Sequence, residues 1–475
     1  MNLKKTLIPS LPLYLCYCIV VFAYFLVSQQ GFFWDTVQLG SKHAHWYFEQ
    51  NFQYFLLPES MDSGHPPFFG MYLAICWQWF GQSLTVSHFA ILPFTLASIF
   101  FLYRIGQFFL GDRKGIFLVI LLLADPTFAA QNLLISPDAC LMAFFLTGVY
   151  AVLFEKKILL AVAALGLAAI SMRGMMVVVV LYVWQLLYSE RQFFWKTMWQ
   201  KALPFVPSGL FALAFLSYHY HETGWIGYHE DSPWAESFQR ADFSGFIHNV
   251  AVYGWRLLDF GRFSGLLLLA LLLFLNKKLL LQNFLANEKL KKIALLLLAS
   301  LIFLSPSLLL YKYLSAHRYF LPIYFSFHLL TIYLLFELVK EKWAKWIFVA
   351  WVTVLFSGNF WMYPKQIAQG WDANLAFLPY DGLRKEMIDY IDHEQIPLTM
   401  IGTVFPEVGA RKFRELNGRA EGFKQANLAT DRYIFYASVM NDFSDVELEE
   451  LEREWRVRQR FERFGVEVIL YKQVR

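Results

Sequence analysis

Five short motifs in this chain carry side chains able to do chemistry. The first runs Phe33-Trp34-Asp35-Thr36 and continues through Gln38, Lys42 and His45. An i, i+3, i+7, i+10 spacing predicts Asp35, Gln38, Lys42 and His45 on one stripe of a helix, with Trp, Phe and Tyr on the other faces. A helix of that kind lies in a membrane interface, aromatic side down. Its polar stripe is either the solvated face of an anchor or a set of working groups. The second motif is Asp62-Ser63-Gly64-His65-Pro66-Pro67, whose two prolines fix a rigid, non-helical entry into the next apolar segment. His65 then either belongs to a tight turn or stands at the lip of a cavity, able to pair with an anion. The third, Ser136-Pro137-Asp138, puts an acid at a helix start, where it can simply cap. The last two hold Arg173 and Arg318, each at the boundary of an apolar helix. Each Arg could snorkel to headgroups as an anchor. Together they offer fork-shaped donors suited to phosphate.

These residues need a framework, and the composition says which kind. Of 475 residues, 57% are hydrophobic and only 16% charged, too little charge for a soluble surface. Lys and Arg are scattered, which argues against a nucleic-acid groove. Cys16, Cys18, Cys76 and Cys140 all lie in apolar stretches and suggest neither a disulfide framework nor a metal motif. Eleven apolar stretches are long enough for spans, centred near residues 17, 97, 122, 146, 164, 181, 210, 269, 301, 329 and 352. The first lacks a small-residue cleavage site and is read as an uncleaved span.

Charge sets the orientation. With the N-terminus inside, the inner connections hold 17 Lys/Arg, among them Lys4, Lys5, Arg113, Lys114 and Arg191. The outer connections before the tail hold 7, including Lys42, Arg173, Arg262 and Arg318. An odd span count then places the tail outside. The long connections, from about 28 to 85 and from about 219 to 262, fall on that same outer face, where function is expected. Residues 362–475 carry 35 of the 78 charges. The expected organisation is therefore a polytopic α-helical membrane domain over 1–361 and a small soluble α/β domain over 362–475, outside the membrane. In that tail, Leu383–Ile391 reads as helix, Leu398–Val404 and Tyr433–Val439 as strands, and Ser444 with Glu447 as a capping box opening a helix to about Phe464. A final strand covers Val466–Tyr471. The tail shows no catalytic constellation and is assigned a regulatory, acceptor-docking or structural role.

Carboxylates and cations on the outer lip of a helical bundle suit a lipid-anchored phosphate substrate. A base there activates an acceptor hydroxyl, and cations stabilise the leaving phosphate. A polar loop with His219, His221, Glu222, His229, Glu230 and Asp231 lacks a zinc-helix spacing, so no metal is expected.

The order Trp34-Asp35-Thr36, His65-Pro66-Pro67, Pro137-Asp138-Ala139, Arg318-Tyr319-Phe320-Leu321-Pro322 resembles the GT-C glycosyltransferases of family 39. That group includes the protein O-mannosyltransferases and the bacterial transferase that adds aminoarabinose to lipid A. The likeness covers roughly residues 10–190 and, more weakly, 310–335. It implies a GT-C-like bundle with interfacial helices in the first outer loop, a polyprenyl-phosphate-sugar donor, inversion at the anomeric carbon and no cofactor. It implies Asp35 as base and Asp138 as the second acid, supporting the acceptor or the base. His65, in the position of a family Lys, then faces the donor phosphate, with Arg173, Arg318 and Lys42 as further phosphate ligands. Thr36 stands where relatives carry Glu, and Gln38 where many carry a basic residue. The acceptor class spans glycolipid, glycan and protein.

Two other readings share parts of this pattern. A transporter or flippase for lipid-linked glycans would put ionisable groups near mid-span and often shows inverted repeats. Here the polar groups cluster at one boundary and no repeat is visible. A glycan polymerase or ligase would use the same donor type. The absence of any Asn-x-Ser/Thr sequon and of cysteine in the tail leans toward a bacterial inner membrane with a periplasmic tail.

Overall fold

The computed structural model describes residues 11–188, 194–230, 235–284, 286–312 and 314–474. Lys4, Lys5, Arg191 and Asp231, named above, lie outside the described residues. Helix α1 (Leu11–Val27) leads into a long connection holding a π-helical stretch (Val37–Lys42), α2 (His43–Glu49) and α3 (Phe68–Phe80). Next come α4 (Leu84–Leu110), α5 (Gly115–Ala124), α6 (Pro126–Leu133), α7 (Pro137–Leu153), α8 (Lys157–Ile170) and α9 (Met172–Leu187). They are followed by α10 (Phe194–Ala202), α11 (Val206–Thr223), α12 (Phe243–Leu258), α13 (Phe263–Leu275) and α14 (Lys277–Asn283). The helical part closes with α15 (Glu288–Leu310), α16 (Leu321–Leu338) and α17 (Glu341–Ser357).

A helix stands at each of the eleven predicted centres. Among the described residues, four helices are long and apolar enough to cross a membrane, or six if each of two bent pairs is one span. The pairs α5–α6 and α12–α13 bend by 76° and 88°. The first break follows from Pro126, which pushes Asp125 to an extended ψ of 122°. Helix α16 is the centre of the bundle: every residue from Leu321 to Leu335 is buried, as expected for a helix apolar on all sides. Helix α1 instead exposes Leu11, Leu15, Ile19, Phe22 and Phe25. A strip of large apolar side chains of this kind marks a surface for lipid or for another protein.

The tail carries α18 (Pro379–His393), α19 (Lys412–Glu415), α20 (Asp445–Glu454) and one six-stranded sheet of order β2-β3-β1-β4-β6-β5. Its strands are β1 (Ile401–Thr403), β2 (Gly409–Ala410), β3 (Gly422–Gln425), β4 (Tyr433–Ala437), β5 (Trp455–Arg463) and β6 (Val466–Gln473). Only β1 pairs in parallel, with β3 and β4; the other pairs are antiparallel. The capping box at Ser444 and Glu447 is present. The helix it opens, however, ends at Glu454 rather than near Phe464. Alternation of Trp455, Val457, Gln459 and Phe461 with Arg and Glu has a period of two, and this stretch pairs with β6 as a strand. The tail's core also takes in Phe33 and Leu134 from the helical part. Phe33 stacks on Phe377 at 4.9 Å, and Phe32 N–H donates to Arg414 O at 3.0 Å. The sheet domain therefore rests on the segment that carries Asp35.

Candidate functional site

Asp35 follows Trp34, whose φ of 57° is costly for an aromatic residue and is held by edge contact with Phe405. The next residues are helical but not as an α-helix. The i→i+5 winding of Val37–Lys42 turns each residue through a smaller angle, so the predicted stripe does not stay in register. Asp35 points to Arg318. Lys42 stands instead over the Phe413 ring at 5.7 Å, and His45 packs between Trp77 and Phe413. Lys42 lines neither cavity described below. Nor is the stripe a solvated face, since His45 is buried and Asp35, Gln38 and Lys42 are each partly buried.

Arg318 lies in a 3-10 turn, His317–Phe320, that leads into α16. Its Nη2 donates to Asp35 and its Nη1 to Asp372, while Nε lies 3.6 Å from Asp138 Oδ2. Nη2 also reaches the Tyr319 hydroxyl at 3.2 Å. Asp138 is not a cap: Ser136 Oγ accepts the Asp138 N–H at 3.1 Å. Its carboxylate pairs with Arg173 Nη2, on the first turn of α9. Asp372 is fixed from the other side by Gln131 Nε2, which donates to its Oδ2 at 3.2 Å and to its backbone oxygen at 2.8 Å. Three carboxylates thus share two guanidinium groups. Burial pushes the Asp35 carboxyl above the ordinary carboxylate range, and the Asp372 and Asp138 charges add to this against the pull of Arg318.

His65 reaches the same place from the opposite wall. Gly64 takes φ 69° and its N–H donates to Asp62 Oδ1 at 2.8 Å. A Cβ on Gly64 would lie 2.6 Å from Gly227 O, so this turn needs glycine. Asp62 Oδ2 meets His219 Nε2 at 3.0 Å, which ties the first long connection to the end of α11. Burial, reinforced by Arg173, pushes His65 down to about 4. His65 is therefore a neutral imidazole, and its buried Nδ1 has no hydrogen-bond partner among the described residues. Arg173 Nη1 is likewise buried and unpartnered. Of the other loop candidates, His229 lies 3.8 Å from Glu59, and His221 meets Glu222 at 3.3 Å. Among the described residues no group of three metal-type ligands converges.

Two cavities meet here. One, of about 390 Å³, is mainly apolar and runs past Phe69, Ile170, Met176, Leu304 and Leu308. The other, of about 450 Å³, is the more polar of the two and holds Asp35, Arg256, His317, Gln369 and Asp372. His65, Arg318 and Tyr319 line both. Asp138 and Arg173 line the apolar one.

Two solved structures share this architecture. They are the crystal structures of ArnT from Cupriavidus metallidurans, one bound to undecaprenyl phosphate and one in the apo state. Identity is 12% and 13%, the TM-scores are 0.52 and 0.50, and both matches cover 96% of this chain and 97% of that chain. The chain shares the fold of these two structures. Residues 64–220 also match the family described as dolichyl-phosphate-mannose-protein mannosyltransferase. No curated protein gives a significant match. The segment matched by that family contains His65, Asp138 and Arg173 but not Asp35, Arg318 or Asp372.

Asp372, Gln131 and Tyr319 are the parts of the cluster that spacing did not mark. Trp371-Asp372-Ala373 forms a single 3-10 turn, too short to leave a periodic signal in the sequence. Its only sequence signal is an acid flanked by apolar residues near the start of the charged tail.

Proposed function

We propose that the protein is an integral-membrane glycosyltransferase that moves a sugar from a polyprenyl-phosphate donor to an acceptor hydroxyl. The observation carrying this reading is the junction of an apolar and a polar cavity at Arg318, with Asp35 on the polar side and Arg173 on the apolar side. The lipid lies in the apolar cavity, and the sugar projects into the polar one. At the junction, Arg173 Nη1 and His65 Nδ1 hold the phosphate, each being buried and without a hydrogen-bond partner among the described residues. His65 acts as a neutral donor rather than a cation. Arg318 stabilises the leaving phosphate by charge, while its own donors gather the three carboxylates. Lys42 is left out of this assignment, being turned to Phe413.

Asp35 accepts the proton from the acceptor hydroxyl. The oxygen attacks the anomeric carbon from the face opposite the phosphate, the bond from that carbon to the phosphate oxygen breaks, and its electron pair leaves with the lipid phosphate. Configuration inverts. Asp138 keeps Arg173 aimed and supports the acceptor. A raised Asp35 carboxyl suits a base better than an ordinary surface acid does.

In the same reading the eleven apolar helices span or enter the bilayer, residues 1–361 form the membrane domain, and 362–475 lie outside. The excess of Lys and Arg in the short connections at the other end supports that orientation, and a bacterial inner membrane is the expected location. ArnT, which has the same fold, binds undecaprenyl phosphate in one of its structures, and this supports a polyprenyl-phosphate ligand here. The test is lipid and glycan mass spectrometry of cells carrying wild-type or Asp35→Asn protein. A sugar mass increment lost in the variant names both sugar and acceptor. An unchanged profile ends the assignment of Asp35 as base.

A further inference from the structure

His317 precedes Arg318 but faces a different way. Its Nε2 lies 2.7 Å from Asp259 Oδ2, and Tyr363 OH donates to the same oxygen. Asp259 Oδ1 accepts the Phe260 N–H at 2.8 Å. The Phe260 ring packs against the His317 ring at 4.8 Å and stacks on Tyr363. The imidazole is thus fixed in orientation. A carboxylate can only accept, so Nε2 carries the hydrogen and Nδ1 presents a lone pair. That Nδ1 is buried and has no hydrogen-bond partner among the described residues.

The wall beside it is Gly370. Its φ is −73°, which any residue can adopt, so backbone conformation does not require glycine there. What glycine leaves is space. A Cβ at 370 would sit 3.4 Å from His317 Nδ1 and 3.7 Å from Asp372 Oδ1. Asp372 Oδ2 is engaged by Arg318 and Gln131, whereas no hydrogen bond from a described residue reaches Oδ1. Gly370, His317 and Asp372 all line the polar cavity. Two acceptors therefore face one small gap.

We infer that the gap beside Gly370, between His317 Nδ1 and Asp372 Oδ1, is a subsite that recognises a pair of hydrogen-bond donors on the sugar being transferred. Two lone pairs aimed at one place are both satisfied by a group bringing two polar hydrogens, and they reject a group that brings acceptors only. Neighbouring hydroxyls and a primary amine both qualify. His317 and Asp372 select the sugar, and Asp259 and Tyr363 are positioning residues that hold the His317 tautomer. The inference rests on the glycosyltransferase reading above.

The test compares wild-type protein with Gly370→Ala and His317→Phe in detergent. The probes are undecaprenyl phosphate alone and undecaprenyl phosphates bearing a panel of hexoses, with and without an amine and with single hydroxyls removed. Gly370→Ala puts a methyl group in the gap without straining the backbone. The expected result is binding of undecaprenyl phosphate within twofold of wild type, and at least tenfold weaker binding of the sugar-bearing lipid that wild type prefers. His317→Phe is expected to lose discrimination between that lipid and its analogue lacking one donor. Which analogue loses affinity in wild type tells hydroxyls from an amine. Sugar-lipid affinity unchanged in both variants overturns the inference. So does a loss in Gly370→Ala that is equal for the bare and the sugar-bearing lipid, or an effect on the acceptor KM alone. Wild-type protein that binds neither lipid would instead strike at the glycosyltransferase reading.

Discussion

Arg318 Nη2 donates to the Asp35 carboxylate across 283 positions of sequence. This pair joins the first long connection to the start of the central helix, and it sets the charge balance on which the proposed chemistry depends. Two cations among three carboxylates leave one negative charge in excess, and burial together with the Asp372 and Asp138 charges raises the proton affinity of Asp35.

Asp35 works as a base only when it is ionised. Its carboxyl titrates above the ordinary Asp value of about 3.9, so activity is expected to fall as pH drops through that raised value. Asp35→Asn is expected to lower kcat about 100- to 10,000-fold and to remove this acidic limb from the residual rate. A pH–rate profile of the purified variant that keeps the same limb would assign the titration to another group.

Arg173 and Arg318 are expected to fail differently. Arg173→Ala removes a buried donor that has no hydrogen-bond partner among the described residues, and undecaprenyl phosphate should bind about tenfold to a hundredfold more weakly. Arg318→Ala leaves Asp35, Asp138 and Asp372 facing one another, so activity and thermal stability should drop together. Binding and melting curves for the two variants separate the roles, and identical behaviour would refute the division.

His65 is pushed down to about 4 and is neutral at physiological pH. If its Nδ1 bonds phosphate as a neutral donor, His65→Gln should keep most of the affinity, and His65→Ala should lose about tenfold. His65→Lys exceeding wild type, with Gln as weak as Ala, would show that charge at this position is what counts.

Asp125 and Arg262 close a second, deeper pair, both fully buried, with Nε–Oδ2 at 2.8 Å and Nη2–Oδ1 at 2.7 Å. Asp125 stands at the α5–α6 break and Arg262 at the α12–α13 break, so the pair clamps two bends together. Through Thr127 it also touches Ala373, next to Asp372. Arg262→Met removes the guanidinium from the buried Asp125 carboxylate, which keeps only His328 and the Thr127 and Phe128 N–H groups, and should cost about 3–5 kcal/mol. Asp125→Asn combined with Arg262→Met leaves no such charge and should recover part of that loss. Thermal unfolding in detergent reads both, and a single variant as stable as wild type would mean that the bends do not depend on the pair.

The sequence by itself carried the helical bundle, the charged tail and five of the six residues assigned to the proposed site. Apolar runs and their basic flanks are local properties, and a helix stands at every centre they marked. Asp35, His65, Asp138, Arg173 and Arg318 were legible because each is a polar group placed, against expectation, at the end of an apolar run. What local pattern could not give is direction. The stripe through Asp35, Lys42 and His45 assumed α-helical winding, and a π-helical stretch turned Lys42 to Phe413 instead. Trp455–Arg463 had strand alternation that the preceding capping box obscured. Asp372 carried no signal because nothing near it in sequence shares its task. It joins the cluster only because the sheet domain closes its core over Phe33 and Leu134. Tertiary packing also decided the protonation of His65 and the free faces of Arg173 and His317. Burial and neighbouring charge are properties of a place in space, and a residue's position in the chain does not contain them.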